Sequence, residues 1–303
     1  YRNSARLVRY LAAKYHIPLD RQHILGHDEL PGPAPKYQAG MHWDPGPFWD
    51  WNHYMELLGA PLETTPDKPR SRVVMIKPNF ATNTPPLTYC YQNEASDCRD
   101  VPLQSANFVY LYTAPSLNAP LITDPYFPQA APTLANNWAD KAVTGQEFYV
   151  AERQGDWDAI YFGGQKAWFY NPCPPPAFPN RLGRPRCLTA DSPLGNRLAI
   201  RPKAGLASIA VYGTTYPETA EFPADVPAPG HPPLYSIPAG QVYVVAGSVK
   251  SDYYYAPEYI LSLEGSQNRL IKGATRYYQI FFNHRLGYVK ASDVDLVGTE
   301  RDI

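Results

Sequence analysis

The sequence predicts an α+β chain in which a short helical unit precedes a long, mainly β region. Three observations carry this. Apolar residues recur at helical spacing as far as Leu58. Beyond a polar, proline-bearing stretch at 64–69, the pattern changes to short alternating runs bounded by Pro, Gly and Asn. Within that region Gly145-Gln146-Glu147-Phe148-Tyr149-Val150 is echoed by Gly240-Gln241-Val242-Tyr243-Val244-Val245, the mark of an internal repeat. The predicted boundaries are 1–63 for the helical unit, 64–69 for a linker, 70–180 for a first β unit, 181–199 for a second linker and 200–303 for a second β unit.

Leu7, Val8, Leu11, Ala12 and Tyr15 form one apolar face between the cap candidates Asn3 or Ser4 and the breaker Pro18, which predicts an amphipathic helix. His23-Ile24-Leu25-Gly26 leads to His27, and a loop rich in Pro and Gly runs from Leu30 to Gly40. Phe48, Trp51, Met55 and Leu58 predict a second helix, with Gly59 as its stop and Pro61 beyond. In the β region, Trp157-Asp158-Ala159-Ile160-Tyr161-Phe162 and Lys166-Ala167-Trp168-Phe169 follow the first repeat copy. Tyr278-Gln279-Ile280-Phe281-Phe282 and Leu286-Gly287-Tyr288-Val289-Lys290 follow the second. Each is a strand, a tight turn and a strand. With the preceding segments Asn107–Tyr112 and Ala207–Tyr212, this order resembles bacterial SH3-like wall-associated modules, and the resemblance implies two small β-barrels over roughly residues 70 to 300.

Length and charge bound the function. A chain of 303 residues has room for two or three units, each with its own core. A net charge of −1, with 18% charged residues, lacks the footprint of a nucleic-acid or anionic-membrane binder. No run approaches the ~20 apolar residues of a membrane helix, and the mean hydropathy of −0.40 agrees with a soluble protein. The 34 prolines are interleaved with aromatic and β-branched residues and predict irregular loops between strands. Four cysteines fall into two local pairs, Cys90 with Cys98 and Cys173 with Cys187, without metal-thiolate spacing. Read as disulfides they imply an oxidising compartment and a secreted or cell-wall protein; four unrelated thiols are the alternative. Tyr1 enters almost directly into a helical pattern, which predicts a segment upstream.

Chemistry concentrates at Gly26-His27-Asp28 and His42-Trp43-Asp44-Pro45-Gly46. In an extended segment His42 and Asp44 project from one face about 6 to 7 Å apart, and Pro45-Gly46 turns the backbone sharply. Imidazole nitrogen and carboxylate oxygen suit zinc, whose catalytic sites use three protein ligands and a water. The stretch from Asp20-Arg21-Gln22-His23-Ile24-Leu25-Gly26-His27 through His42-Trp43-Asp44-Pro45-Gly46-Pro47-Phe48-Trp49-Asp50-Trp51 resembles the zinc-dependent N-acetylmuramoyl-L-alanine amidases of the amidase-2 type, akin to peptidoglycan recognition proteins. The resemblance implies that residues 1–63 are the C-terminal part of an α/β amidase domain, with His27 and Asp44 as Zn²⁺ ligands and His42 as the catalytic group that stabilises the tetrahedral intermediate. It implies hydrolysis of the amide between the lactyl group of N-acetylmuramic acid and L-alanine, with peptidoglycan as partner. The family's first zinc histidine and its catalytic glutamate or tyrosine would precede Tyr1, so association with an upstream segment or chain completing the domain is expected. Pro31-Gly32-Pro33-Ala34-Pro35 lengthens the loop between the ligands as a lid or a decoration.

Other candidates have plainer readings. His23 becomes a third ligand only if its turn is helical, and otherwise faces solvent or core. His16, His53, His231 and His284 receive no chemistry. Trp43, Trp49 and Trp51 line a sugar or peptide groove or, for Trp51, belong to the core. Tyr253-Tyr254-Tyr255 is a glycan platform or a cross-strand staple. No cysteine lies near a histidine and no Gly-x-Ser-x-Gly elbow is present, which removes cysteine and serine nucleophiles. Three functions stay open: an exported zinc amidase docked by two β modules, a non-catalytic wall-binding or structural protein with a remnant amidase portion, and one product of proteolysis still bound to its upstream piece.

Overall fold

The computed structural model of the chain describes residues 1–62, 72–91, 97–127, 131–172, 189–191, 198–257 and 268–298. Helix α1 (Arg2–Tyr15) ends where His16 adopts a left-handed conformation at φ 56° and returns its N–H to Ala12 O, two residues before Pro18. A short α2 (Pro35–Gln38) interrupts the proline-rich loop. Helix α3 (Trp51–Leu58) starts at Asp50, whose carboxylate accepts from the His53 N–H at 3.0 Å, and stops at Gly59, φ 78°. Its buried residues include Trp51, Met55 and Leu58, as their spacing predicts.

The buried face of α1 matches the predicted one in part: Ala12 is buried and Val8 is half-buried against the α3 core, Ala5 joins them, and Leu7, Leu11 and Tyr15 are exposed. Small side chains let the helix approach α3 closely, and Ser4 Oγ and Tyr54 Oη, 2.8 Å apart, fasten the two together. The cap differs: the helix begins at Arg2, and Tyr1 precedes it without a side-chain cap.

The β region is built twice. One antiparallel sheet has the strand order Gln165–Tyr170, Trp157–Phe162, Glu147–Gln154, Val73–Ile76, Thr189–Asp191. The other runs Leu286–Lys290, Arg276–Phe281, Tyr243–Lys250, Ala199–Pro202, Val294–Val297, the same connectivity. Even the irregularities correspond, since the register shifts between Val150 and Glu152 in one sheet and between Val245 and Gly247 in the other. Between the first and second strands of each sheet the chain forms a two-stranded pair, Phe108–Tyr110 with Lys141–Val143 and Ser208–Val211 with Tyr235–Pro238. Single bridges, Tyr112 to Trp168 and Tyr212 to Tyr288, tie each pair to its sheet. Because these links are bridges instead of ladders, neither sheet closes into a barrel among the described residues. The chain is thus mainly β, with few helices.

The units share cores. Phe148, Ile160 and Phe169 of the first sheet pack in one cluster with Val244, Phe281 and Leu286 of the second. Trp51, Met55 and Leu58 of α3 pack with Phe108, Trp138 and Val143 of the first β unit. Residues 1–62 contain helices and no strand, so they do not show the α/β arrangement, whose sheet was expected upstream of them; α3 covers itself with the first β unit. Cys90 and Cys98 form a disulfide across the hairpin Thr88–Cys90 and Cys98–Asp100. Cys173, Cys187 and the 64–69 linker lie outside the described residues, and Thr189–Asp191, inside the predicted second linker, is a strand paired with Val73–Ile76.

Candidate metal centre

Two loops meet at the site. Gly26 enters a single 3₁₀ turn, His27–Glu29, and the Asp28 N–H donates to Asp44 O at 3.0 Å, joining it to the loop that carries His42 and Asp44. Gly26 is required by close approach, because a Cβ there would collide with Asp28 Oδ1 and lie 2.7 Å from Pro45 Cδ. Glu29 anchors the turn from beneath. Its carboxylate accepts from the Gly26 N–H at 2.8 Å, from Arg21 Nη2 at 2.8 Å to each oxygen, and from Gln146 Nε2 at 3.2 Å. Arg21 in turn donates to Ile24 O and stacks over the Trp51 ring at 3.6 Å.

The structure brings His27, His42 and Asp44 together, with one donor atom of each within 4.8 Å of the others. Asp44 Oδ1 lies 3.5 Å from His27 Nδ1 and 3.5 Å from His42 Nδ1, and the two imidazole centroids are 4.6 Å apart. Such gaps are long for hydrogen bonds. They match the ligand-to-ligand edge of a zinc tetrahedron, about 3.3–3.6 Å for bonds of ~2.0–2.2 Å. Two imidazoles and a carboxylate are a donor set zinc accepts, and the residues present fit the ion. All three side chains are substantially exposed, at 44%, 69% and 66% for His27, His42 and Asp44, which leaves room for a further ligand. The 41–46 segment is a turn and not a strand, so the proximity of His42 and Asp44 comes from loop curvature.

The remaining candidates separate. His23 is engaged by Asp20 Oδ1 at 2.7 Å and lies outside the cluster. Trp51 is core, Trp49 stacks on Tyr1 at 4.2 Å, and Trp43 is exposed. Tyr253 packs against Tyr216 and Phe222 while Tyr254 faces solvent. The proline-rich loop is docked and not a lid, since Gln38 is fully buried and its backbone O accepts from Arg285 Nη1 at 2.7 Å.

His284, a turn residue for which the sequence predicts no chemistry, is buried 3.1 Å from Asp28 Oδ2, its ring stacked on Trp138 at 4.0 Å. Burial pushes the Asp28 carboxyl up to about 8 and the His284 imidazole down to about 3, so both are neutral near pH 7. Arg285, from the same hairpin, donates through Nε to Asp28 O at 3.3 Å. The only local signal for these residues is an Asn-His-Arg turn between two apolar strands, which reads as a surface hairpin.

Beside the cluster opens a cavity of about 600 Å³, lined by His42, Trp43 and Asp44, by Phe127 and Trp138 of the first β unit, and by Arg285 of the second. Its size falls within the range of small-ligand sites. No family model, characterised protein or solved structure matches the chain.

Proposed function

We propose that the chain is an exported zinc-dependent hydrolase of bacterial peptidoglycan, cleaving the amide between the lactyl group of N-acetylmuramic acid and L-alanine. The observation that carries this reading is the 3.5 Å spacing of Asp44 Oδ1 from both histidine nitrogens beside an open cavity. His27 and Asp44 keep the ligand roles that the resemblance implies. His42 supplies a third donor, so the set needs no histidine from outside the described residues. His27, His42 and Asp44 would hold a zinc ion, which would supply Lewis-acid polarisation of the amide carbonyl and a water that ionises in the neutral range. The chain's own residues orient the reactants: the Asp28 N–H fixes the Asp44 backbone, and the exposed Trp43 offers an apolar face to sugar or peptide.

The two β units, which resemble SH3-like modules in strand order, would hold the enzyme on the wall. The Cys90–Cys98 disulfide supports an extracellular setting, and no helix among the described residues is long and apolar enough to cross a membrane. The exposed Leu7, Leu11 and Tyr15 of α1 support association with a further segment or chain.

Incubation of the full chain with purified peptidoglycan tests the reaction, which must release peptides with a free L-alanine amino group. His42→Ala separates the roles of that residue. Loss of metal identifies a ligand; retained metal with lost turnover restores the implied role of His42 as donor to the oxyanion. A second reading, a wall-binding protein with a remnant site, is favoured by the high exposure of His27, His42 and Asp44. It predicts retention on walls without amine release.

A further inference from the structure

We infer that Arg285 is a specificity-determining residue that binds a carboxylate of the substrate in the cavity beside the metal cluster, which makes an acidic peptide the preferred ligand. The inference rests on the hydrolase reading for its substrate class and on the structure for its site. Arg285 is only 3% exposed and lines the cavity together with His42 and Asp44. Its guanidinium is fixed on two sides, by Nε to Asp28 O at 3.3 Å and by Nη1 to Gln38 O at 2.7 Å, and it lies over the Phe127 ring at 4.5 Å. Both acceptors are neutral backbone carbonyls. Among the described residues no carboxylate forms an ion pair with it, in contrast to Arg21, the other buried arginine, which is paired with Glu29.

Asp124 and Asp28 act on it through space, while the close contacts of both carboxyls go to other groups. Asp124 accepts from the Tyr126 N–H at 2.9 Å, from Tyr235 Oη at 3.2 Å and from Asn283 Nδ2 at 3.1 Å. Asp28 Oδ2 faces His284 Nε2. A buried guanidinium held rigid by carbonyls and facing a cavity retains capacity for an anion, and a carboxylate suits its planar donors. Metal ligands and Arg285 line one cavity, so a peptide whose scissile amide reaches His42 and Asp44 presents its next acidic group to the guanidinium. The second β unit then reads the substrate, in addition to any part in wall docking.

The test uses the full chain freed of metal, so that no turnover occurs, and follows tryptophan fluorescence, because Trp43 and Trp138 line the cavity. The probes are lactyl-L-alanyl-glutamate and the same molecule with both carboxylates converted to amides. The expected result is binding of the acid at least about tenfold tighter than the amide, a preference that Arg285→Gln removes and Arg285→Lys partly retains. Equal binding of acid and amide, or binding of neither, overturns the inference in the unaltered chain, whether or not the variants fold. A preference that persists in Arg285→Gln assigns it to another group and overturns it as well. Acid preference in a chain that releases no amine from peptidoglycan would leave the pocket standing and defeat the hydrolase reading alone.

Discussion

Behind the candidate ligands, at the scale of single residues, stand a buried acid and a buried base whose titrations oppose one another. Asp28 has its pKa raised by burial to about 8, and His284 has its pKa lowered by burial to about 3. Between about pH 4 and 6.5 the folded pair carries its proton on Asp28 and the unfolded pair carries it on the histidine, so this pair adds no pH slope. Above about 6.5 the unfolded chain loses that proton first, and stability falls by roughly 1 kcal/mol by pH 8 and about 2 kcal/mol in all at higher pH. Below about 4 the unfolded chain gains a second proton, and stability falls again. Urea titrations of the metal-free chain at pH 6.5 and 8 should show the alkaline loss, and Asp28→Asn should abolish it; an unchanged slope in the variant would refute the assignment. Glu29 makes a second test. Removing one partner of a buried pair typically costs about 3–5 kcal/mol, so Glu29→Ala should lower the urea midpoint sharply, and a loss under ~1 kcal/mol would show that water enters around Arg21.

Among the elements, the 3₁₀ turn at His27–Glu29 and the 41–46 turn form a unit whose geometry Gly26 permits. Gly26→Ala should weaken zinc binding at least about tenfold while leaving the far-ultraviolet spectrum of the sheets in place; unaltered affinity, measured by competition with a chelating dye, would count against the coupling. Helix α3 was legible because its signals are local: Asp50, the Trp51, Met55 and Leu58 spacing, and Gly59. The face of α1 was legible only in Val8 and Ala12, because the helix packs on α3 through Ala5 and leaves Leu7, Leu11 and Tyr15 outside. The repeat at 145–150 and 240–245 was legible as strand order, and even its irregularity recurs at the equivalent position. Barrel closure was not, since it depends on pairings between distant strands that no local pattern encodes.

Over the whole molecule, the predicted modular string becomes an interlocked body. Both sheets contribute to one core, and the 282–286 turn reaches the loops of the candidate site through the Arg285 bond to Asp28 O, 257 positions away. A contact of that separation has no signature in the sequence, which is why His27, Asp44 and His42 could be singled out from their motif while Arg285 and His284 could not. Shared cores predict one cooperative unfolding transition by calorimetry, with the sheets and helices melting together; two resolved transitions would restore independent modules. The measurement closest to the central claim is the zinc content of the full chain and of its Asp44→Ala variant, by elemental analysis after exposure to zinc and removal of excess. We predict about one tightly held zinc per chain and its loss in the variant. Zinc absent from the unaltered chain, or present equally in both, would contradict the site.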